Sequence, residues 1–327
     1  MGMMPQLYYD IKRFLKHKHR MDMLFEKQYM HNIDRQIQHW NWCSEDSKSM
    51  WWMQHFIVKR GLLDSSDKRI ALCSVFGERE VLDKVDADVR VFFSGENLHH
   101  PHRAQYADYM LSGKHPFDLG LGFDVFENDH YLRFPLWLTY MFEPDATVDD
   151  INNRCEQLRH PVVAGKNKFC ALVARGDRNG VRTALHQAVS RLGSIDCPSA
   201  LFHNDDCLIE KYQDDKITYL RQYVFNICPE NTASYGYTTE KLFQSIAAGC
   251  IPVYWGNDCL DIVNPSIVLF WNREGDEKTL LDRMADLMNN KQLYGEFTSQ
   301  DWLMPNAAEF VISKFAELES RLKRLLN

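Results

Sequence analysis

The densest run of chemistry-bearing residues lies between Tyr223 and Gly256, YVFNICPENTASYGYTTEKLFQSIAAGCIPVYWG. An apolar stretch ends at Cys228, and a polar turn Pro229-Glu230-Asn231 leads into Tyr235-Gly236-Tyr237. A helix is expected to open at Thr238 or Thr239, either of which could be its N-cap. It would bury Leu242, Phe243, Ile246 and Ala247 and stop at Gly249, ahead of a strand Ile251–Trp255. Lys241 falls in the first helical turn, where a cation opposes the macrodipole at a cost of about 0.3–1 kcal/mol. An anion docked at the helix start would offset that cost, because free N–H groups make a phosphate site there and Lys adds a point charge. Glu240 reads either as a first-turn acid complementing the dipole or as an acceptor for sugar hydroxyls. Tyr237 could pack in the core or hydrogen-bond a phosphate, and Asn231 could simply hold the turn.

Elements of alternating type must position these residues. Arg69–Val75 and Val89–Phe93 read as short buried strands, and Asp118–Phe123 as a third. Pro135–Phe142 reads as helix or apolar connector. Residues 144–166 are polar and turn-rich and suggest a boundary, giving domains 1–150 and 151–327. Beyond it, Phe169–Ala174, Tyr223–Cys228, Ile251–Trp255 and Ile267–Phe270 read as strands. Val181–Leu192, Thr239–Ala248, Lys278–Met288 and Ala307–Leu326 read as helices. Strand–helix alternation on both sides of the boundary implies an α/β protein with two Rossmann-like domains facing a cleft.

The first 60 residues differ. Leu7, Ile11, Phe14, Leu15, Met21, Leu24 and Phe25 recur at helical spacing, while residues 1–30 carry six Lys/Arg against three Asp/Glu. Such a helix either packs on the domain behind it or lies on a membrane surface. Trp40, Trp42, Trp51, Trp52 and Phe56 form an aromatic cluster that reads as core, although Trp also stacks on sugar rings.

Several signals fall short. Gly120-Leu121-Gly122 begins a dinucleotide fingerprint, but Val125 stands where the third glycine belongs. His99, His100 and His102 crowd one polar turn, which reads as solvated before it reads as a metal site. No apolar run reaches the roughly 18 residues of a membrane span, and no signal peptide is visible. The formal net charge of −7 over 327 residues argues against nucleic acid as a main partner. Nine cysteines, an odd number with no C-x-x-C, fit a reduced, cytoplasmic compartment and bacterial origin.

The Tyr223–Gly256 block resembles the inverting α1,3/α1,4-fucosyltransferase family, whose signature F-E-N-S…Y-x-T-E-K-[LI]…[IV]-P-[VI]-x-W-G appears here as CPENT, YTTEKL and IPVYWG. Pro229 replaces the usual aromatic residue and Thr232 the serine. VRVFFSGEN at Val89–Asn97 is similar to the family's strand ending in G-E-N, and LGFDVFENDHYLRFPL to its GFD…RYLR-x-P segment. Gly180-Val181-Arg182 matches more weakly. The resemblance implies a GT-B type fold, GDP-fucose as donor, and no cofactor or divalent metal. It implies Glu96 as general base, and Arg182 and Lys241 as cations on the diphosphate. Asn231, Tyr237 and Glu240 would contact ribose, phosphate or fucose. The implied acceptor is a GlcNAc or Glc hydroxyl of a LacNAc- or lactose-type oligosaccharide, with inversion giving Lewis-type glycans. The basic N-terminal helix is a candidate for peripheral contact at the inner membrane. Two other readings share these residues: a transferase using another nucleotide sugar, and a catalytically silent carbohydrate-binding protein.

Overall fold

The structure is a computed structural model that describes residues 3–44, 47–111, 117–126, 128–271 and 277–327. It divides into two compact units. The first runs to Gly122, adds Phe126–Phe134 and closes with Ala316–Asn327; the second comprises Phe123–Val125 and Pro135–Phe315. The division therefore falls after Phe134 rather than near residue 150. The stretch expected to be a polar linker instead contains a helix, Val148–Arg159, opened by a capping box in which Thr147 and Asp150 exchange hydrogen bonds. Ile151, Cys155 and Leu158 are its buried face.

The first unit holds a parallel sheet of β1 (Ile37–Trp40), β2 (Ile70–Cys73), β3 (Val89–Phe93), β4 (Leu119–Gly122) and β5 (Tyr131–Arg133), in that spatial order. All four residues of β2 are buried, as both faces of a parallel sheet require. The helix Lys48–Lys59 crosses from β1 to β2. It turns Trp52 and Phe56 inward and leaves Trp51 exposed against His55. Phe92 centres the core, with the rings of Phe117 and Tyr106 at 4.7 and 5.4 Å. Gly120 and Gly122 serve packing rather than dinucleotide binding: a Cβ there would sit 2.5 Å from the Tyr109 carbonyl and 2.3 Å from its hydroxyl. Arg321 donates to the carbonyls of Asn128 and Tyr131 at 2.8 and 2.9 Å, and Arg60 pairs with Glu319 at 2.8 Å. These bonds tie the last turns of the helix Ala307–Leu326 into this unit.

The N-terminal helix spans Met3–Asn32, with side chains described from Asp10 onward, so Leu7 lies outside the described side chains. Among its described side chains the second half packs: Met21 is buried, and Leu24 and Phe25 rest on the core. His17 and Arg20 reach Glu80 and Glu78. Ile11, Phe14 and Leu15 stay exposed.

The second unit holds β6 (Lys168–Ala171), β7 (Ile195–Asp196), β8 (Tyr223–Ile227), β9 (Ile251–Tyr254) and β10 (Leu269–Phe270). All pair in parallel, in the order β10-β9-β8-β6-β7. The chain leaves β6 to one side for β7 and returns on the other as β8. That reversal makes a topological switch point between β6 and β8, and ligands of open α/β sheets bind beyond the carboxyl ends of such strands. Lys168 and Tyr223, the first residues of β6 and β8, both reach Asp196, the last residue of β7, at 2.7 and 2.8 Å. Two parallel-sheet α/β units are what the alternating pattern predicts for a GT-B type protein.

Gly249 ends the helix Glu240–Ala247 with φ +66°, and a Cβ there would stand 2.2 Å from the Val162 carbonyl. Gly249→Ala combines left-handed strain with that clash and should cost roughly 1–3 kcal/mol or more; urea unfolding measures it.

Candidate functional site

The chain beyond β8 is fixed before any ligand arrives. Cys228 N–H donates to Val253 O at 2.9 Å, and Glu230 N–H to Trp255 O at 2.8 Å, so the CPEN turn extends the sheet past the strand end. Asn257 pins the following loop, accepting from Gly236 N–H at 3.0 Å and donating to Tyr237 O at 2.7 Å. Thr239 occupies the N-cap of the helix Glu240–Ala247, yet its hydroxyl caps nothing. It donates to Glu230 Oε2 at 2.7 Å, while Thr239 N–H donates to Glu230 Oε1 at 2.7 Å. Thr238 instead bonds Cys259 O at 2.8 Å.

Lys241 has an internal partner. Its ammonium bonds Thr239 Oγ1 at 2.9 Å and Glu230 Oε2 at 3.3 Å, with Glu240 Oε1 at 3.7 Å. The unfavourable placement of a cation in the first turn is thus offset by a buried carboxylate and needs no external anion to account for it. Burial alone would push the Lys241 ammonium down, but the charges of Glu230 and then Glu240 hold it well above the usual lysine range. Burial pushes the Glu230 carboxyl up, against the pull of Lys241. Sequence reasoning gave Glu230 no role, although it lies within the CPENT match, because on its own it reads as a turn residue.

Arg182 lies in the first turn of the helix Val181–Val189, which Gly180 caps. Its guanidinium donates to Asn231 Oδ1 at 2.7 Å and to Gly176 O. Asn179 Nδ2 donates to Asn231 O at 2.9 Å. Asn231 therefore does more than hold its turn: it links the loop after β8 to the loop after β6. A cavity of about 60 Å³ opens here, lined by Arg182, Lys216, Asn226, Cys228, Glu240 and Lys241 among others. Glu240 Oε2 and Asn226 Oδ1 are buried and have no hydrogen-bond partner among the described residues. Two unsatisfied acceptors beside two cations suit a ligand that carries both hydroxyls and negative charge. Tyr237 does not line this cavity; it is 2% exposed, with its ring edge-on to Phe123 at 5.0 Å.

In the first unit, Glu96 follows the carboxyl end of β3. Ser94 Oγ closes the turn, accepting from Glu96 N–H and donating to Glu96 O, both at 3.0 Å. Asn97 Oδ1 caps the next turn by accepting from His99 N–H at 3.0 Å. The Glu96 carboxylate is spent on neither turn, is partly exposed, and bonds none of the described residues. Trp42 stacks on Phe93 at the same sheet end, with ring centroids 6.1 Å apart and its indole N–H on Leu72 O at 2.8 Å. His100 accepts from His102 N–H at 3.4 Å and so caps its own turn. Among the described residues, no group of three or more His, Cys, Asp or Glu side chains is placed to hold a metal. No helix among them is long and apolar enough to cross a membrane, and all nine cysteines are free.

Two family models match the chain: Alpha-(1,3)-fucosyltransferase FucT N-terminal domain over residues 37–140, and Glycosyltransferase family 10 (fucosyltransferase) C-term over residues 163–315. The chain is 27% identical to Alpha-(1,3)-fucosyltransferase FucT of Helicobacter pylori over 205 residues, 55% of this chain and 39% of that protein. It is 24% identical to Alpha-(1,3)-fucosyltransferase B of Drosophila melanogaster over 175 residues, 52% of this chain and 36% of that one. It thus spans less than half the length of these relatives. A solved α1,3-fucosyltransferase aligns with TM-score 0.58 at 20% identity, covering 87% of this chain and 89% of its own. A solved α1,3-fucosyltransferase with GDP-fucose aligns with TM-score 0.55 at 19% identity, covering 86% and 89%. Matched in its N-terminal part by one fucosyltransferase model and in its C-terminal part by the other, the chain belongs to the fucosyltransferases of glycosyltransferase family 10.

Proposed function

We propose that this chain transfers L-fucose from GDP-fucose to a hydroxyl of a GlcNAc or Glc unit in a LacNAc- or lactose-type acceptor, with inversion, giving a Lewis-type product. The observation that carries the reading is that Arg182, Glu240 and Lys241 line one cavity at the switch point of the second sheet, with Asn231 bonded to Arg182 behind it. In this reading the diphosphate lies against Arg182 and Lys241, which take up negative charge as the C1–O bond to GDP breaks. Glu240 and Asn226 accept hydrogen bonds from donor hydroxyls or N–H groups. With two cations on the leaving group, the reaction is assigned no divalent metal. Glu96 removes the proton of the acceptor hydroxyl as its oxygen attacks C1 from the face opposite the diphosphate. One base and a stabilised leaving group suffice, without a covalent intermediate. The stacked Trp42 and Phe93, and the turn bearing His99, His100 and His102, lie near Glu96 in the sequence or at its sheet end and are candidates for acceptor contact.

We also assign the first half of the N-terminal helix to peripheral contact with an anionic membrane surface on the cytoplasmic side. Ile11, Phe14 and Leu15 are 51, 64 and 58% exposed, with Lys12, Arg13, Lys16 and Lys18 beside them.

Three measurements follow. Purified protein given GDP-fucose and LacNAc in EDTA should release GDP only when acceptor is present; no response to GDP or GDP-fucose in any assay would sink the donor site. Glu96→Gln should keep the melting temperature and GDP affinity while lowering turnover by about 10²–10⁴-fold; near-wild-type transfer would remove Glu96 as base. Vesicles containing anionic lipid should co-sediment the protein, less so at high salt and for Phe14→Ser, whereas neutral vesicles should not.

A further inference from the structure

Glu230 is almost wholly buried, and it lies behind Lys241 rather than among the residues that line the cavity. A buried carboxylate is costly unless it is paired and fully hydrogen-bonded. This one is: Oε1 takes the Thr239 N–H, and Oε2 takes both the Thr239 hydroxyl and the Lys241 ammonium. Its backbone is held in turn by Trp255. The next residue, Asn231, holds the other cation of the site through Arg182. One dipeptide therefore grips two cations that come from different helices, Val181–Val189 and Glu240–Ala247.

We propose that Glu230 is a positioning residue of the donor site: its carboxylate fixes the Lys241 ammonium in place and keeps it charged for the donor diphosphate. This rests on the donor-site reading above and adds to it a residue that does not touch the donor. A lysine is a flexible four-carbon stem with a point charge, so its usefulness to a phosphate depends on what anchors it. Charged and titratable groups face Lys241 from every side. Glu230 comes from the loop after β8, Glu240 from its own helix and Arg182 from the helix Val181–Val189. Cys228 lies at the end of β8, and Lys216 lines the same cavity. Of these, Glu230 is the strongest influence holding the ammonium above its ordinary range, against burial. The sign follows: with Glu230 ionised, Lys241 stays charged far into the alkaline range. With that charge removed, burial and Arg182 act to release its proton at lower pH.

The test is Glu230→Gln, which keeps the side-chain size and an oxygen for the Thr239 N–H but not the charge. GDP binding is measured by calorimetry from pH 7 to 10.5, with a melting curve at each pH. At pH 7.5 the variant should bind GDP about tenfold more weakly, the scale of one lost charge-assisted hydrogen bond. Its alkaline loss of binding should begin roughly one pH unit or more below that of the wild type. Glu230→Asp should recover part of both. Wild-type affinity and an unmoved alkaline limb in a folded Glu230→Gln protein would overturn the proposal, whatever happens to the melting temperature. If that variant does not fold, the wild-type chain still decides. With its lysines ¹³C-methylated and Lys241 assigned by signal loss in Lys241→Arg, the Lys241 amine should titrate above the other lysines, and titration at or below them would refute the proposal. A wild-type protein that fails to bind GDP would overturn the donor reading, while the Lys241 titration would still judge the role of Glu230.

Discussion

A buried carboxylate sets the order of the second unit. Glu230 reaches the interior because its backbone continues the sheet beside β9, and it is tolerable there because Thr239 and Lys241 satisfy its oxygens. The same bonds determine where the helix Glu240–Ala247 begins and which way its first turn points. Without them, Lys241 would be a cation at the wrong end of a helix. With them, the lysine, the helix start and the strand end form one rigid piece. The cavity is a property of that piece.

The two sheets place chemistry in different ways. The first has its strands in chain order and no reversal, so nothing in its topology singles out a crevice. It offers a sheet end, where β3 runs out into Ser94, Gly95 and Glu96 and where an indole is locked against Phe93. The second has a reversal between β6 and β8, and the loops leaving those strands carry Arg182 and Asn231 directly to each other. Around the switch point, buried acceptors on Glu240 and Asn226 are left open among the described residues beside two cations, and that marks where a ligand is expected.

Much of this was legible in the sequence, for physical reasons. β2, β3, β4, β6, β8 and β9 are short apolar runs because both faces of a parallel sheet are covered, and such runs stand out. β5 did not stand out: Tyr131-Leu132-Arg133 is three residues long and buries an arginine. The helix Val148–Arg159 was hidden by its polar composition, although Thr147 and Asp150 are spaced as a capping box. Lys241 and Glu240 could be suspected from their position at a helix start, whereas Asn231 read only as a turn residue until the family resemblance gave it a role. Arg182 and Glu96 acquired roles only through family resemblance, because a lone arginine on a helix or a lone glutamate after a strand carries no signal. Glu230 stood inside the CPENT match yet drew no role, because its burial depends on Trp255 and Thr239, contacts that no local pattern encodes. Gly120 and Gly122 show the reverse: a half-formed motif whose glycines answer to the bulk of Tyr109.

The return of residues 316–327 to the first unit has a consequence for biosynthesis. A ribosome delivers β1 to β5 first, and each strand finds its neighbour already made, so the sheet can grow as it emerges. Yet Arg60 must wait for Glu319, and the carbonyls of Asn128 and Tyr131 for Arg321, until the whole second unit has been synthesised. The half that is translated first is the half that is finished last. Through that interval it carries open polar groups that a chaperone or a neighbouring nascent chain can occupy.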